Sequence, residues 1–241
     1  SLWNSSDRWK RIVPNITKKD LILTSLRSLK KSISKFILIE NINVKINLIS
    51  DTSDGKFDDY ILKELIHDKI QIEFFESKLK GNRGTYLECC DQAENAEDLI
   101  FFIEDDYIFE EDCITEMIYS YARISSLLKK DIFLCPSDYP FYYDSNYQTS
   151  IFIGKSFRWR IVYETLLTFM MSKDLLINYK KRIREVGERE NNPFEKPLHK
   201  IYSERPCLSP ITSLSYHISR NYPAVTENWL KLWNDNFKKY K

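Results

Sequence analysis

Three consecutive acids follow a continuous apolar run near the middle of the sequence. The run spans 99–103, and the acids are Glu104, Asp105 and Asp106. An apolar run of this length is typical of a strand that is covered on both faces, so the acids would leave the strand at its C-terminal end. Unpaired carboxylates are costly to bury, and hard divalent cations prefer carboxylate oxygens. The segment therefore indicates a site for Mn²⁺ or Mg²⁺, with a charged surface loop as the alternative.

Other polar residues near the ends of predicted elements could complete such a site. Asp51 and Asp54 follow a predicted strand at 44–50, where a carboxylate could bind a ribose or a uracil ring, although a simple turn also explains them. Arg160 opens another apolar run and could balance the charge of a diphosphate, with a solvated arginine at a strand edge as the alternative. His217 ends a serine-rich segment and is either a metal ligand or a hydrogen-bonded loop residue.

The hydrophobic pattern predicts strands that alternate with helices. Apolar residues repeat with a helical period after Thr17, which is a suitable N-cap. The predicted strands are 44–50, 70–75, 99–103, 131–135 and 160–171. Helices are predicted around 17–33, 60–67, 85–96, 114–128 and 173–186 and from Pro197, with a turn at 81–84. This order predicts an α/β fold with a mainly parallel central sheet and helices on both faces. In such sheets, ligands bind beyond the carboxyl ends of the strands.

Composition excludes several classes of protein. The 241 residues carry a formal net charge of +1, so the strongly basic surface that duplex nucleic acid requires is absent and we expect no nucleic-acid partner. A glycine-rich dinucleotide fingerprint and a P-loop are both absent. The five cysteines contain no CxxC pair, which favours reduced thiols in a cytoplasmic protein. We find no signal-peptide pattern and no apolar run of membrane-spanning length.

The order of these motifs resembles the GT-A class of nucleotide-sugar-dependent glycosyltransferases. The resemblance covers roughly 44–217 and rests on a strand ending in Asp, a Gly-Asn-Arg-Gly segment at 81–84 before a helix, and a strand ending in Glu-Asp-Asp. That acid triplet is similar to the motif of N-acetylglucosaminyltransferase I. The resemblance implies a Rossmann-like fold, a UDP-sugar donor, bound Mn²⁺ or Mg²⁺, and a glycan or lipid-linked hydroxyl acceptor, as in bacterial surface glycan synthesis. It also implies a single domain, with 1–130 mainly binding the donor and 131–241 mainly binding the acceptor.

The resemblance also implies roles for individual residues. Asp106, the last acid of the motif, would ligate the metal, and His217 would complete the metal site. Glu104 and Asp105 would contact the ribose or a metal-bound water, and Arg83 would belong to the donor site. An inverting enzyme needs a carboxylate general base. Its usual position, just before a helix, maps to Glu195, with Glu164 and Asp138 as rivals.

Two departures and two alternatives accompany this resemblance. No clear strand precedes Thr17, where the class normally has its first nucleotide-binding strand, so the role of the Asp-rich segment after 44–50 is not fixed by it. Clustered carboxylates also serve metal-dependent phosphotransferases and nucleases, and a non-catalytic module can keep the same fold.

The C-terminal segment 226–241 predicts an amphipathic helix capped by Thr226. It could contact the inner face of a membrane through its aromatic and lysine side chains. We favour the interpretation that its apolar stripe packs on the core.

Overall fold

The computed structural model describes residues 13, 15–52, 54–144, 148–218 and 228–240. Besides one short 3₁₀ helix at Pro140–Tyr142, the described residues form seven α-helices and ten strands. In chain order these are α1 (Lys18–Glu40), β1 (Val44–Ser50), α2 (Gly55–Leu65), β2 (Ile70–Glu76), α3 (Gly81–Ala93), β3 (Leu99–Phe102), β4 (Tyr107–Phe109), α4 (Cys113–Leu128), β5 (Phe133–Leu134), β6 (Ile151–Ile153), β7 (Arg158–Val162), β8 (Phe169–Ser172), α5 (Lys173–Glu188), α6 (Lys196–Tyr202), β9 (Cys207–Pro210), β10 (Ser215–His217) and α7 (Asn228–Asn236). The fold is therefore α/β.

The first helix begins at a reciprocal cap. The Oγ1 of Thr17 accepts a hydrogen bond from the backbone N–H of Asp20 at 3.1 Å, and Oδ2 of Asp20 accepts one from the backbone N–H of Thr17 at 2.8 Å. This capping box satisfies two backbone donors that a helix start otherwise leaves without partners. The helix ends at Asn41, whose φ of 56° is left-handed. The prediction that Thr17 caps this helix is confirmed.

The strands form three sheets. The largest has six strands in the order β3-β8-β5-β9-β7-β6, while β1 pairs with β2 and β4 pairs with β10. The β1–β2 pair is parallel. In the six-stranded sheet only β5 and β9 are parallel, and the other described pairs are antiparallel.

The prediction of a mainly parallel central sheet was therefore wrong for the largest sheet, which is mixed. The apolar run 160–171, predicted as one strand, is two strands that lie apart in the sheet. The break could not be seen in the hydrophobic pattern, because the connection between the two strands is itself buried. Its buried residues are Thr165, Leu166, Leu167 and Thr168. Both β7 and β8 run antiparallel to their neighbours β9 and β5. A hydrophobic pattern reports burial and does not report strand direction.

Helices cover both faces of the six-stranded sheet, as predicted. On one face, residues of α3, α5 and α6 share a hydrophobic cluster with β3, β5 and β8. On the other face, α1 and α4 pack with inward residues of β5, β7, β8 and β9. Two layers of helix around a sheet exclude water from both sides of it, which explains why β8 and β9 are buried at every residue.

The C-terminal helix packs on the core. Trp233 of α7 is 2% exposed and belongs to a cluster with Leu21, Ile108 and Tyr216. Beyond the helix, the backbone N–H of Tyr240 donates to Oδ1 of Asp20 at 2.7 Å. These contacts confirm the interpretation that the aromatic stripe packs intramolecularly. Thr226, predicted to cap this helix, lies outside the described residues, and none of the described helices has the length and apolarity needed to cross a membrane.

A buried carboxylate fastens α4 to the hairpin of β6 and β7. Glu116 is 2% exposed. Its carboxylate accepts hydrogen bonds from Ser120 Oγ at 2.7 Å, from the backbone N–H groups of Ser156 and Phe157 at 2.8 and 3.2 Å, and from Trp159 Nε1 at 3.2 Å. Four donors around one carboxylate compensate for its lost hydration.

Replacement of Glu116 by Gln is expected to destabilise the fold by roughly 2–4 kcal/mol, because the new amide N–H₂ would face hydrogen-bond donors and leave some of them without an acceptor. Urea unfolding followed by circular dichroism measures the change. The control is Glu97→Gln, at an exposed acid, which should stay within about 0.5 kcal/mol of wild type. An equal effect of both substitutions would contradict the structural role of Glu116.

Candidate functional site

The acid triplet lies in the short connection between β3 and β4. The chain leaves the six-stranded sheet at Phe102 and enters the small β4–β10 sheet at Tyr107, so the three acids occupy the C-terminal end of β3, as predicted. The backbone N–H of Glu104 donates to Oγ1 of buried Thr168 at 3.1 Å. This bond ties the acid connection to the residue that precedes β8.

The small second sheet brings His217 to the acids. In the antiparallel register of β4 and β10, His217 lies opposite Tyr107, and their rings stack with centroids 4.7 Å apart. The backbone N–H of Ile218 donates to the carbonyl oxygen of Asp106 at 2.8 Å. As a result, Nε2 of His217 lies 3.0 Å from Oδ2 of Asp106. Two residues predicted separately, 111 positions apart in the chain, therefore form one hydrogen-bonded pair.

The acids and the histidine strongly perturb one another. Burial would raise the pKa of Asp106, but the charge and hydrogen bond of His217 lower it. Burial likewise would lower the pKa of His217, and the charge of Asp106 outweighs it and raises the pKa. The two shifts agree on a carboxylate–imidazolium pair. For Glu104, burial raises the pKa to about 8, and the negative charge of Asp106 acts in the same direction.

Of the predicted general bases, Glu195 is the one that interacts electrostatically with Glu104 and His217. Glu195 is the residue before α6, and its negative charge contributes to the raised pKa of Glu104. Burial raises the pKa of Glu195 itself, against the opposing influence of His199 and His217. Glu164 lies exposed in the connection from β7 to β8, and Asp138 is buried in an ion pair with Arg160. A carboxylate whose pKa is shifted by burial and by neighbouring charges is a functional-site candidate.

One cation of the cluster was not predicted from the sequence. Lys18 is the first residue of α1, and its Nζ lies 2.5 Å from Oδ1 of Asp105. Burial alone would lower the pKa of Lys18, but the charges of Asp105 and Asp106 raise it. Two adjacent lysines, at 18 and 19, follow the helix cap in the sequence, and nothing in that pattern distinguishes the one that reaches the acids.

Two of the predicted donor-site acids have local structural partners. Asp54 is the N-cap of α2: its Oδ1 accepts from the backbone N–H of Phe57 at 3.3 Å, and its Oδ2 pairs with Lys19 at 2.5 Å. Asp51 is buried, and its Oδ2 accepts from the backbone N–H of Gly81 at 2.9 Å. The segment predicted as a turn at 81–84 is the first turn of α3, so Asp51 binds at the positive end of that helix.

The two predicted arginines are also held by protein groups. Arg83 donates from Nε to the carbonyl oxygen of Gly187 at 2.9 Å and from Nη2 to that of Glu188 at 2.5 Å, so it stabilises the C-terminal end of α5. Arg160 forms its buried ion pair with Asp138 and lies over the ring of Tyr143, 4.2 Å from the centroid. The structure places neither arginine in contact with the acid triplet.

The cluster offers donor atoms for a divalent cation. Two shielded carboxylate oxygens, Oε2 of Glu104 and Oδ1 of Asp106, make no hydrogen bond, and Nε2 of His217 lies beside the second carboxylate. No group of three or more His, Cys, Asp or Glu side chains within the described residues is arranged to hold a metal ion. These residues nevertheless fit an ion that bridges to a substrate, because Mg²⁺ is commonly held by one or two carboxylates with substrate phosphates and water.

Comparison with known proteins assigns no family to the chain. No protein-family model matches the sequence, and a search of curated proteins gives no significant match. The interpretation of the site therefore depends on its residue chemistry and geometry.

Replacement of Glu104 by Gln should make stability less dependent on pH. The folded-state pKa of Glu104, about 8, lies above its ordinary value of 4.5. Its contribution to stability is therefore full below about pH 4.5 and is lost as pH rises through about 8. We expect the unfolding free energy of the variant, measured relative to that of wild type in metal-free buffer, to rise between about pH 5.5 and 8.5. The rise should be at least about 1 kcal/mol.

Urea unfolding at several pH values with a chelator measures this difference. The control is Glu190→Gln, at an exposed acid, which should follow the wild-type profile. Parallel profiles for wild type and Glu104→Gln would show that Glu104 does not hold its proton in the folded protein.

Proposed function

We propose that this protein is a metal-dependent glycosyltransferase that moves a sugar from a nucleoside-diphosphate donor to a hydroxyl acceptor. The observation that carries the proposal is the convergence of Glu104, Asp106 and His217 at the end of β3, with Glu195 in electrostatic interaction with Glu104. Three separate segments of the chain supply these residues. The donor on this proposal is a UDP-sugar, and the acceptor is a glycan or a lipid-linked hydroxyl.

One unit of the N-terminal half supports the proposal. β1, α2 and β2 form a parallel strand–helix–strand unit, with buried Asp51 at the carboxyl end of β1. The acid triplet ends β3, further along the chain. Carboxyl ends of strands are where open α/β sheets bind ligands. We assign donor binding mainly to 1–130 and acceptor binding mainly to 131–241.

Asp106 and His217 are the side chains that would hold Mn²⁺ or Mg²⁺. Their hydrogen bond would give way to metal ligation, which requires the neutral imidazole. When bound, the metal would offset the negative charge that develops on the diphosphate leaving group. Glu104 and Asp105 would then contact the ribose or water on the metal. This division gives each acid of the triplet a role.

Glu195 is the group we assign to deprotonation of the acceptor hydroxyl. A carboxylate whose pKa is raised by burial is a stronger base than an exposed one, provided that it is ionised at the working pH. Glu195 lies just before α6, within the segment 131–241 to which we assign acceptor binding.

Replacement of Asp106 by Asn should abolish metal-dependent turnover. A metal contributes several kcal/mol of transition-state stabilisation, and each 1.4 kcal/mol is about tenfold in rate, so we expect a loss of at least roughly 100-fold. The assay is hydrolysis of a panel of nucleotide sugars with and without Mn²⁺. The matched control is Asp112→Asn, at a surface acid that pairs with Lys35.

If Asp106→Asn keeps the full activity of the wild type in chelator-treated buffer, Asp106 is not a metal ligand. Cleavage of nucleic acid or phosphate esters by the wild type, with no action on any nucleotide sugar, would favour a phosphotransferase or nuclease. If the protein binds a nucleotide sugar but neither transfers the sugar to an acceptor nor hydrolyses the donor, a binding module would be favoured.

Replacement of Glu195 by Gln should lower kcat by roughly 10²–10⁴-fold, the usual contribution of a general base. Donor affinity, measured by calorimetry, should change little. The comparison is Glu164→Gln, the exposed rival, which should keep kcat within about twofold of wild type. A large loss in Glu164→Gln with normal turnover in Glu195→Gln would exchange their assignments.

A further inference from the structure

Lys18 lies against the acid cluster with most of its side chain covered. The relative exposure of its side chain is 20%, while that of Asp105, its partner, is 53%. The ammonium also interacts electrostatically with Asp106 and Glu104. Lys18 therefore supplies positive charge to all three acids of the triplet from a distant part of the chain.

The backbone of Lys18 is fixed, whereas its ammonium is carried on a flexible stem. The capping box of Thr17 and Asp20 sets the start of α1, and the backbone N–H of Tyr240 also donates to Asp20. A lysine side chain carries a compact ammonium charge on a flexible four-carbon stem, and it lacks the fixed planar geometry of an arginine. The ammonium can thus change partner while the helix stays in place.

We propose that Lys18 is the counter-cation of the acid triplet in the metal-free protein, and that a divalent cation displaces its ammonium from Asp105 toward the donor diphosphate. This inference rests on the proposed function and adds an order to it. Metal binding and release of Lys18 are one exchange, and the released ammonium is then available to pair with the diphosphate. The sequence of events would be metal, then nucleotide.

The physical reason is that a dication on Asp106 would lie beside the carboxylate of Asp105, which holds the ammonium of Lys18. Like charges in a partly buried cluster repel strongly because the surroundings screen them less than water does. Lys18 therefore weakens binding of the metal alone. A diphosphate brings negative charge of its own, so the same ammonium then strengthens binding of the nucleotide. The two effects have opposite signs, and this distinguishes them from a loss of fold.

The experiment compares Lys18→Met with Lys19→Met. The neighbouring Lys19 pairs with Asp54 and lies over the ring of Tyr240, so it controls for loss of one lysine at the start of α1. Calorimetry measures binding of Mn²⁺ alone, and then binding of UDP at saturating Mn²⁺. Circular dichroism checks that each variant is folded.

For Lys18→Met, we expect about tenfold tighter binding of Mn²⁺ alone and about tenfold weaker binding of UDP with Mn²⁺. Lys19→Met should leave both affinities within about twofold of wild type. Lys18→Arg keeps the positive charge, so its affinities for Mn²⁺ alone and for UDP with Mn²⁺ should stay close to those of wild type. Opposite changes in the two affinities, confined to position 18, would support the exchange.

Weaker or unchanged Mn²⁺ binding in Lys18→Met would overturn the inference, because a purely structural role lowers both affinities. Unchanged UDP binding would overturn the transfer of the ammonium to the diphosphate. If wild type binds Mn²⁺ and UDP but Lys18→Met does not gain Mn²⁺ affinity, only this inference fails. If wild type binds neither, the proposed function fails with it.

Discussion

The burial of negative charge at the end of β3 is the constraint on which the rest of the structure depends. Carboxylates removed from water must find cations, donors or protons. Here Asp106 pairs with His217, Asp105 pairs with Lys18, and the pKa of Glu104 is raised. Lys18 and His217 come from distant parts of the described chain, so Glu104 and Asp106 can be shielded from water only when the whole fold is assembled, while Asp105 stays more than half exposed.

The small sheet of β4 and β10 is the device that meets this constraint. A pair of three-residue strands has too little hydrogen bonding to be stable by itself. It persists because Tyr107, Ile108 and Tyr216 are almost fully buried, with Ile108 and Tyr216 packed beside Trp233 of α7. The C-terminal helix, whose amphipathic pattern already favours packing on the core, therefore supports the strand that carries His217.

Features set by neighbouring residues could be predicted from the sequence, but contacts between residues far apart in the chain could not. The position of the acid triplet at a strand end and the cap at Thr17 follow from short patterns with direct physical causes. Asp54 could not be separated from a ligand-binding acid, because a helix cap and a ligand site both place an Asp after a strand. The partners of Arg83 could not be predicted for a related reason: the carbonyl groups at the end of α5 lie more than 100 residues away in the chain. Lys18 carried no distinguishing signal, since an ordinary surface lysine beside it has the same local sequence.

The long separation between Asp106 and His217 also affects how the chain is made. A ribosome adds roughly 5–20 residues each second, so the histidine, 111 residues downstream, follows the acids by on the order of ten seconds. Throughout that interval the nascent chain carries three adjacent carboxylates for which one of the two cationic partners does not yet exist. The strand β3 has a neighbour in β8 before β10 is synthesised, but the loop after it must stay hydrated. The later-made segment that carries β10 thus decides when this loop can leave water, and the N-terminal half cannot complete the pair of Asp106 and His217 by itself during synthesis.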